Sequence, residues 1–146
     1  MCCANATAKL AKMLGPGSIV GNPLDAGFAA VVDPSVYMNS IKIMIDDPDT
    51  DIVIIDAELP KAPHELRERN LRIVNEMAGA ASKPVVYISA MSIGFTEFTK
   101  GLRKSLPNIA VMQGLDRAVG AIKSLIEYSS LRKEVPDIVS SSTAIR

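Results

Sequence analysis

Apolar positions along this chain fall into short continuous runs that alternate with segments of helical spacing. The most informative run lies at 52–55, within the stretch 51–59 that reads DIVIIDAEL. It contains only Val and Ile, without polar alternation, which predicts a strand covered on both faces of a sheet. Asp56, Glu58 and Pro60 follow it. Ligands of open α/β sheets bind where the strands end, so this edge is where we expect a site.

The rest of the chain divides into helices and strands by the same signals. Asp33 followed by Pro34 predicts a helix start, because Asp caps helices and Pro suits their first position. Residues 25–32 are predicted to be a loop with an apolar tail. Further strands are predicted at 18–24, 85–89 and 109–112. Helices are predicted at 4–14, 33–45, 61–81, about 94–106 and 115–131. The inward stripe of the last helix is predicted to be Ala118, Ile122, Leu125, Ile126 and Ser129.

This alternation with short joins predicts the α/β class, a parallel sheet of four or five strands with helices on both faces. Residues 1–132 are predicted to form one domain. Residues 133–146 contain Pro136 and three consecutive serines, and we expect them to be a flexible tail.

Composition narrows the functional classes. Sixteen basic and sixteen acidic residues cancel, and the chain has no Trp, so neither phosphate-backbone binding nor base stacking is expected. Cys2 and Cys3 are adjacent, and adjacent cysteines do not form an easy disulfide. With no secretory leader pattern and no long apolar stretch, we expect a cytoplasmic protein that makes no use of nucleic acid or membrane.

Four local features of the sequence bear on catalysis, ligand binding or metal binding. The glycines at 15, 17 and 21 miss the spacing of a dinucleotide fingerprint. The acidic residues at 47, 49, 51 and 58 match a calcium loop, but Ile52 replaces its essential glycine. His64, the only histidine, lies among charged neighbours and is typical of a solvated surface residue. No Ser or Cys has a histidine nearby in sequence, so the sequence predicts no catalytic residue and no metal site.

Several segments taken together resemble one family in order and spacing. They are the helix before Gly15, the motif Asn22-Pro23-Leu24-Asp25, the segment from Asp46 to Pro48, the apolar run at 52–55, Lys83-Pro84-Val85-Val86, Gly94, and the stretch from Pro107 to Val119. This order resembles the flavodoxin-like domain of the NDP-forming acyl-CoA synthetases, which is related to the C-terminal domain of the succinyl-CoA synthetase β subunit. The resemblance covers about residues 7–131.

The resemblance implies an accessory, cleft-lining domain of an acid–CoA ligase that is catalytically incomplete alone. The complete enzyme would use CoA and ATP or GTP with Mg²⁺, none of them bound by this domain alone, and its partners would be ATP-grasp and CoA-binding domains or subunits. Self-association is a further expectation. The implied substrate-binding residues are Asn22, Asp25, Glu58, Ser89 and Ser92.

The chain also departs from that family. The glycine-rich segment with the phosphohistidine is absent, and so is the strand that precedes the Asn-Pro-x-Asp segment. We therefore expect a piece of a longer polypeptide, an inward shift of residues 18–24, or a partner chain that fills the gap. The alternative function is a non-enzymatic flavodoxin-like module for assembly or small-anion sensing. A phospho-acceptor receiver and a flavin-binding flavodoxin fit less well.

Overall fold

The computed structural model describes residues 4–91 and 94–134, the last two by their backbone alone. Helices and strands alternate from β1 onward, as the sequence predicts. In chain order they are α1 (Ala4–Met13), α2 (Gly27–Val32), α3 (Pro34–Asp46), β1 (Val53–Asp56), α4 (Glu65–Ala80), β2 (Val85–Ser89), α5 (Glu97–Lys104), β3 (Ala110–Gln113) and α6 (Leu115–Glu134).

The sheet of the described residues is parallel and has three strands in the order β1-β2-β3. Val53 pairs in register with Val85, and Val86 pairs with Ala110. The α/β class and the parallel pairing are confirmed. The described residues give three strands, fewer than the four or five that the sequence predicts.

The predicted strand at 18–24 is wrong. Its backbone turns back on itself: Ile19 and Asp25 form an isolated antiparallel bridge, with N···O distances of 2.8 and 3.0 Å between their backbones. The Asn22–Pro23 peptide bond between them is cis. Because this segment satisfies its backbone groups locally, it does not join the sheet.

The run at 52–55 is also not covered on both faces. β1 lies at an edge of the sheet, and Ile54 is 47% exposed. The fully covered strand is β2, in which every residue is buried. Both runs are continuously apolar, so their composition does not distinguish the central strand from the edge strand.

Helix side chains pack on both faces of the sheet. On one face Val85 and Tyr87 of β2 join a large cluster with residues of α3, α4 and α5, including Ile41, Leu71 and Leu102. On the other face a small cluster comprises Val86, Ile88, Ala118 and Ile122, the last two from α6. One face therefore carries most of the core, and the other is covered in part by α6.

The helix ends follow local chemistry in some places and not in others. The Asp33 carboxylate accepts a hydrogen bond from the Ser35 backbone N–H, with Pro34 at the first position of α3, which confirms the predicted start. The predicted loop at 25–32 is wrong, because α2 occupies Gly27–Val32. The Gly27 N–H donates to the Asp25 carboxylate at 2.9 Å, which fixes the chain as it enters that helix.

The last helix is longer than predicted and less covered. α6 runs to Glu134, so the first two residues of the predicted tail are helical, and the remainder of that tail lies outside the described residues. Ala118 and Ile122 are buried, but Leu125 and Ile126 are each 57% exposed, and Ser129 is exposed. The predicted stripe is therefore wrong at Leu125, Ile126 and Ser129, which are not covered by the sheet.

Candidate functional site at the carboxyl edge of the sheet

The three strands end at one edge of the sheet with a polar residue each. Asp56 ends β1, Ser89 ends β2 and Gln113 ends β3. Ser89 and Gln113 are direct register partners, and Asp56 is the partner of Ile88. Parallel pairing thus places Ser89 and Gln113 side by side on one face of the sheet, and Asp56 at the same edge on the opposite face, that of its partner Ile88.

Ser89 holds the chain that leaves β1. Its side chain is fully buried, and its Oγ accepts a hydrogen bond from the Leu59 backbone N–H at 3.1 Å. Leu59 and Pro60 are buried with it. A hydroxyl in this position satisfies a backbone donor that would otherwise be buried without a partner.

Thr99 of α5 and Thr96, the residue before that helix, hold the same chain segment, residues 57–61, which we call the β1 corner. Thr99 Oγ1 donates to the Pro60 carbonyl oxygen at 2.8 Å. Thr96 Oγ1 donates to the Lys61 carbonyl oxygen at 2.8 Å, and it caps α5 by accepting from the Thr99 N–H. Sequence reasoning missed both roles, and the capping pattern of a Thr just before a helix was the signal for one of them.

The acidic residues at the end of β1 are exposed. Asp56 Oδ1 accepts a hydrogen bond from the Ala90 backbone N–H at 3.2 Å. Glu58 forms an ion pair with Arg67 of α4 at 2.8 Å, with the two side chains 47% and 39% exposed. Such a surface pair contributes about 0–1 kcal/mol of stability. Asp56 and Glu58 therefore remain accessible to solvent, although the backbone at Leu59 and Pro60 turns into the core.

Gln113 supplies an unusual group at this edge. Its side-chain nitrogen Nε2 is buried and has no hydrogen-bond partner among the described residues. Next to it, Gly114 adopts a φ of +76° and donates its N–H to the Ser89 carbonyl oxygen at 3.1 Å. A buried donor without an acceptor costs about 1–3 kcal/mol of stability. This amide is therefore an unfavourable group at the strand ends unless a ligand supplies the acceptor.

The remaining residues that the resemblance implies lie elsewhere or outside the description. Asn22 and Asp25 are exposed, and the hydrogen bonds of Asp25 are local, to Ile19 and Gly27. Ser92 lies outside the described residues. Glu58 belongs to the β1 corner, and Ser89 contacts the next residue of that corner by accepting the Leu59 N–H hydrogen bond. That all five residues line a ligand cleft stays a prediction.

A surface groove of the described residues lies away from the strand ends. It is a groove of about 680 Å³ along α4, lined by Pro63, His64, Glu65, Glu68, Arg69, Arg72, Ile73 and Glu76. His64 is exposed, and its backbone N–H donates to Glu68 Oε1 at 2.9 Å, which caps the helix. The groove carries both acidic and basic side chains, three Glu and two Arg, so no strong charge of one sign is present to select a ligand.

Two tyrosines of the large core cluster have shifted pKa values. Burial raises the pKa of Tyr37 to about 12, and burial, with Tyr37 nearby, raises the pKa of Tyr87 further. Both side chains belong to or pack against the cluster beneath α3, α4 and α5. These shifts reflect packing in the core, and neither tyrosine belongs to the polar set at the strand ends.

Across 4–91 and 94–134, no three His, Cys, Asp or Glu side chains come together to hold a metal ion. None of the helices described is both long enough and apolar enough to cross a bilayer.

Comparison with known proteins does not assign a family. No protein-family model matches the chain, and no curated protein matches it significantly.

Proposed function

We propose that this chain is an accessory domain of an acid–CoA ligase, an NDP-forming acyl-CoA synthetase, which lines part of the ligand cleft and does not catalyse the reaction alone. The proposal rests on the ordered sequence segments that resemble the flavodoxin-like domain of that family. It includes the finer fold assignment, a flavodoxin-like sheet completed to four or five strands.

The structural observation that supports the proposal is the Gln113 amide nitrogen, which has no hydrogen-bond partner among the described residues and lies at the carboxyl edge of the sheet. A donor of this kind suits an anionic or carbonyl oxygen, such as a carboxylate or a phosphate group, which would satisfy its hydrogen bond. Its register partner Ser89 and the exposed Asp56 lie at the same edge. The edge thus offers one free donor and few catalytic groups, as expected of a domain that positions a ligand.

The CoA, the nucleotide and the Mg²⁺ of the complete enzyme are assigned to other domains in this proposal. The described residues bring together no carboxylate cluster for a divalent cation. The chain's own contribution would be to hold a ligand oxygen at Gln113 and to keep the β1 corner fixed beside it.

Two measurements on the isolated chain test the proposal. First, acyl-CoA formation from acid, CoA and ATP or GTP should not be detectable, and appreciable turnover would overturn the accessory role. Second, isothermal titration with acetate, a simple carboxylate, and with inorganic phosphate should give weak binding that is lost in Gln113→Leu, whereas CoA should not bind the isolated chain. The matched control is Asn39→Ala, an exposed residue of α3, and it should bind as the wild type does.

A second candidate is a non-enzymatic module for assembly or small-anion sensing. The exposed edge residue Ile54 favours the assembly role, because an apolar strand edge is a site for pairing with another chain. Titration separates the candidates: binding of phosphate without acetate supports anion sensing, binding of neither supports assembly, and binding of flavin mononucleotide contradicts both proposals.

A further inference from the structure

β1 has a hydrogen-bonding neighbour on one side only. The N–H groups of Val53 and Ala57 donate to the Pro84 and Ile88 carbonyl oxygens of the neighbouring strand segment, each at 3.0 Å. Backbone groups alternate in direction along a strand, so those of Ile54 and Asp56 point away from β2. This outward side of Val53–Asp56, which we call the β1 edge, has no partner strand among the described residues.

The β1 edge is short and ends in the charged Asp56, but its centre has none of the other features that protect exposed edges in native proteins. Such edges usually carry Lys, Pro, a bulge or an inward-pointing charge, whereas residues 52–55 are Ile, Val, Ile and Ile. Ile54 is 47% exposed on the sheet face of its register partner Val86, the face that α6 only partly covers. The edge therefore has the composition of a strand that is paired on both sides.

Exposed apolar side chains are also present on α6, which packs on the same face of the sheet. Val119 and Ile126 are 52% and 57% exposed. At about 100° per residue they lie roughly 60° and 40° around the helix from the buried Ile122. They flank the buried stripe on one side, so the apolar face of α6 is wider than the surface that covers it.

Acidic residues flank both ends of the β1 edge. Asp49 and Asp51 precede it, Asp56 and Glu58 end it, and all four are exposed. Glu58 is paired with Arg67, whereas the three aspartates have no ion pair within 4–91 and 94–134. Local negative charge therefore brackets an apolar centre.

This charge pattern disfavours a second copy of the chain as the occupant. Antiparallel pairing of two β1 edges would bring Asp49 and Asp51 of one copy beside Asp56 and Glu58 of the other. Parallel pairing in register would place each carboxylate beside its counterpart. Like charges opposite each other destabilise strand pairs, whereas a strand flanked by Lys or Arg is complementary at both ends.

We propose that the β1 edge binds an extended segment of a different polypeptide, apolar and β-branched at its centre and flanked by Lys or Arg, which adds a strand to the sheet. The main-chain groups of Ile54 and Asp56 supply the hydrogen bonds, and the flanking carboxylates select the basic ends. This docking surface goes beyond the proposed ligase role and does not depend on it.

Two synthetic peptides with a fluorescent label test the inference: Lys-Lys-Val-Thr-Val-Ile-Val-Lys-Lys and its counterpart with Glu in place of every Lys. Anisotropy should show binding of the basic peptide at least about tenfold tighter than binding of the acidic one. Raising the salt concentration should reduce that preference, because the flanking charges are exposed. Deuterium exchange at the Ile54 amide should slow on binding.

Variants localise the binding to the edge. Ile54→Pro removes an outward N–H while the bonds of Val53 and Ala57 to the neighbouring strand remain, and it should abolish binding. Ile54→Lys, at an exposed position, should weaken binding at least tenfold and keeps the test valid if the Pro variant does not fold. Met38→Lys replaces an exposed apolar residue of α3 and should bind as the wild type does.

Three results would overturn the inference. They are equal affinity for the two peptides, no binding of either peptide, and a dimer in sedimentation that Ile54→Lys dissociates, since that dimer would make a second copy the occupant. Because none of these measurements involves CoA, their outcome is separate from that of the activity test.

Discussion

Replacement of Ser89 by Ala removes the hydroxyl that satisfies the Leu59 N–H. The bond is 3.1 Å long and lies in the buried interior, and Leu59 is only 3% exposed, so water does not readily replace the lost acceptor. A buried donor left without a partner costs about 1–3 kcal/mol. We expect Ser89→Ala to lower the free energy of unfolding by that amount.

Urea denaturation followed by far-UV circular dichroism measures this loss. For an m-value of about 1–3 kcal/mol/M, a loss of about 2 kcal/mol moves the midpoint by roughly 1 M. Hydrogen exchange at the Leu59 amide gives a local readout, since the exchange rate rises about tenfold for each 1.4 kcal/mol of lost protection. The two readouts should agree if the hydroxyl stabilises the β1 corner.

Ser82→Ala is the matched control, because Ser82 is exposed in the turn before β2 and its replacement should change stability by less than about 0.5 kcal/mol. A Ser89→Ala midpoint equal to that of the control would refute the structural role of this hydroxyl.

Two further predictions concern the corner and the core. Thr96→Ala removes both the cap of α5 and the bond to the Lys61 carbonyl, so it should cost about 1–2 kcal/mol in thermal unfolding; Thr96→Ser should restore most of the loss, and equal melting temperatures for the two variants would contradict the assignment. Because the pKa of Tyr37 is raised to about 12, the unfolded chain loses this proton first as the pH rises above about 10. Stability is therefore complete below pH 10 and falls between about pH 10 and 12, by up to about 1.4 kcal/mol at pH 11 from this group. Tyr37→Phe should reduce the fall measured by urea denaturation at pH 9 and 11, whereas Tyr128→Phe, at a 62% exposed position, should not; an unchanged fall in Tyr37→Phe would refute the attribution.

Capping residues, prolines and turn residues predicted those helices and strands whose ends depend on interactions between neighbouring residues. Asp33 and Pro34 start α3 through one carboxylate and one restricted φ angle, both readable in sequence. The runs that form β2 and β3 lie between turn residues and were found within one or two residues. In each case the decisive interactions lie within a few positions of one another.

Contacts between distant segments were not predictable in the same way. The run at 52–55 predicted a strand but not its neighbours, so its place at an edge could not be read from composition. The periodicity of α6 predicted an apolar face but not the extent of the sheet beneath it. Twenty residues of helix span about 30 Å, whereas a strand of five residues spans about 17 Å.

The polar groups of the candidate site depend even more on tertiary structure. Thr99 and Pro60 are 39 positions apart, and Ser89 and Leu59 are 30 apart. The sequence around each of these residues gives no indication of its hydrogen-bond partner. The unpaired amide of Gln113 is visible only when its surroundings are known.

The β1 corner has a mechanical consequence. Side-chain hydroxyls from β2, α5 and the cap of α5 form hydrogen bonds with its backbone at three successive residues, Leu59, Pro60 and Lys61. Because these hydrogen bonds attach the loop to the sheet and to α5, it moves with them as one body and does not serve as a hinge. Any closure over a bound ligand would have to come from a different part of the assembly, with this corner as the fixed wall against which it closes.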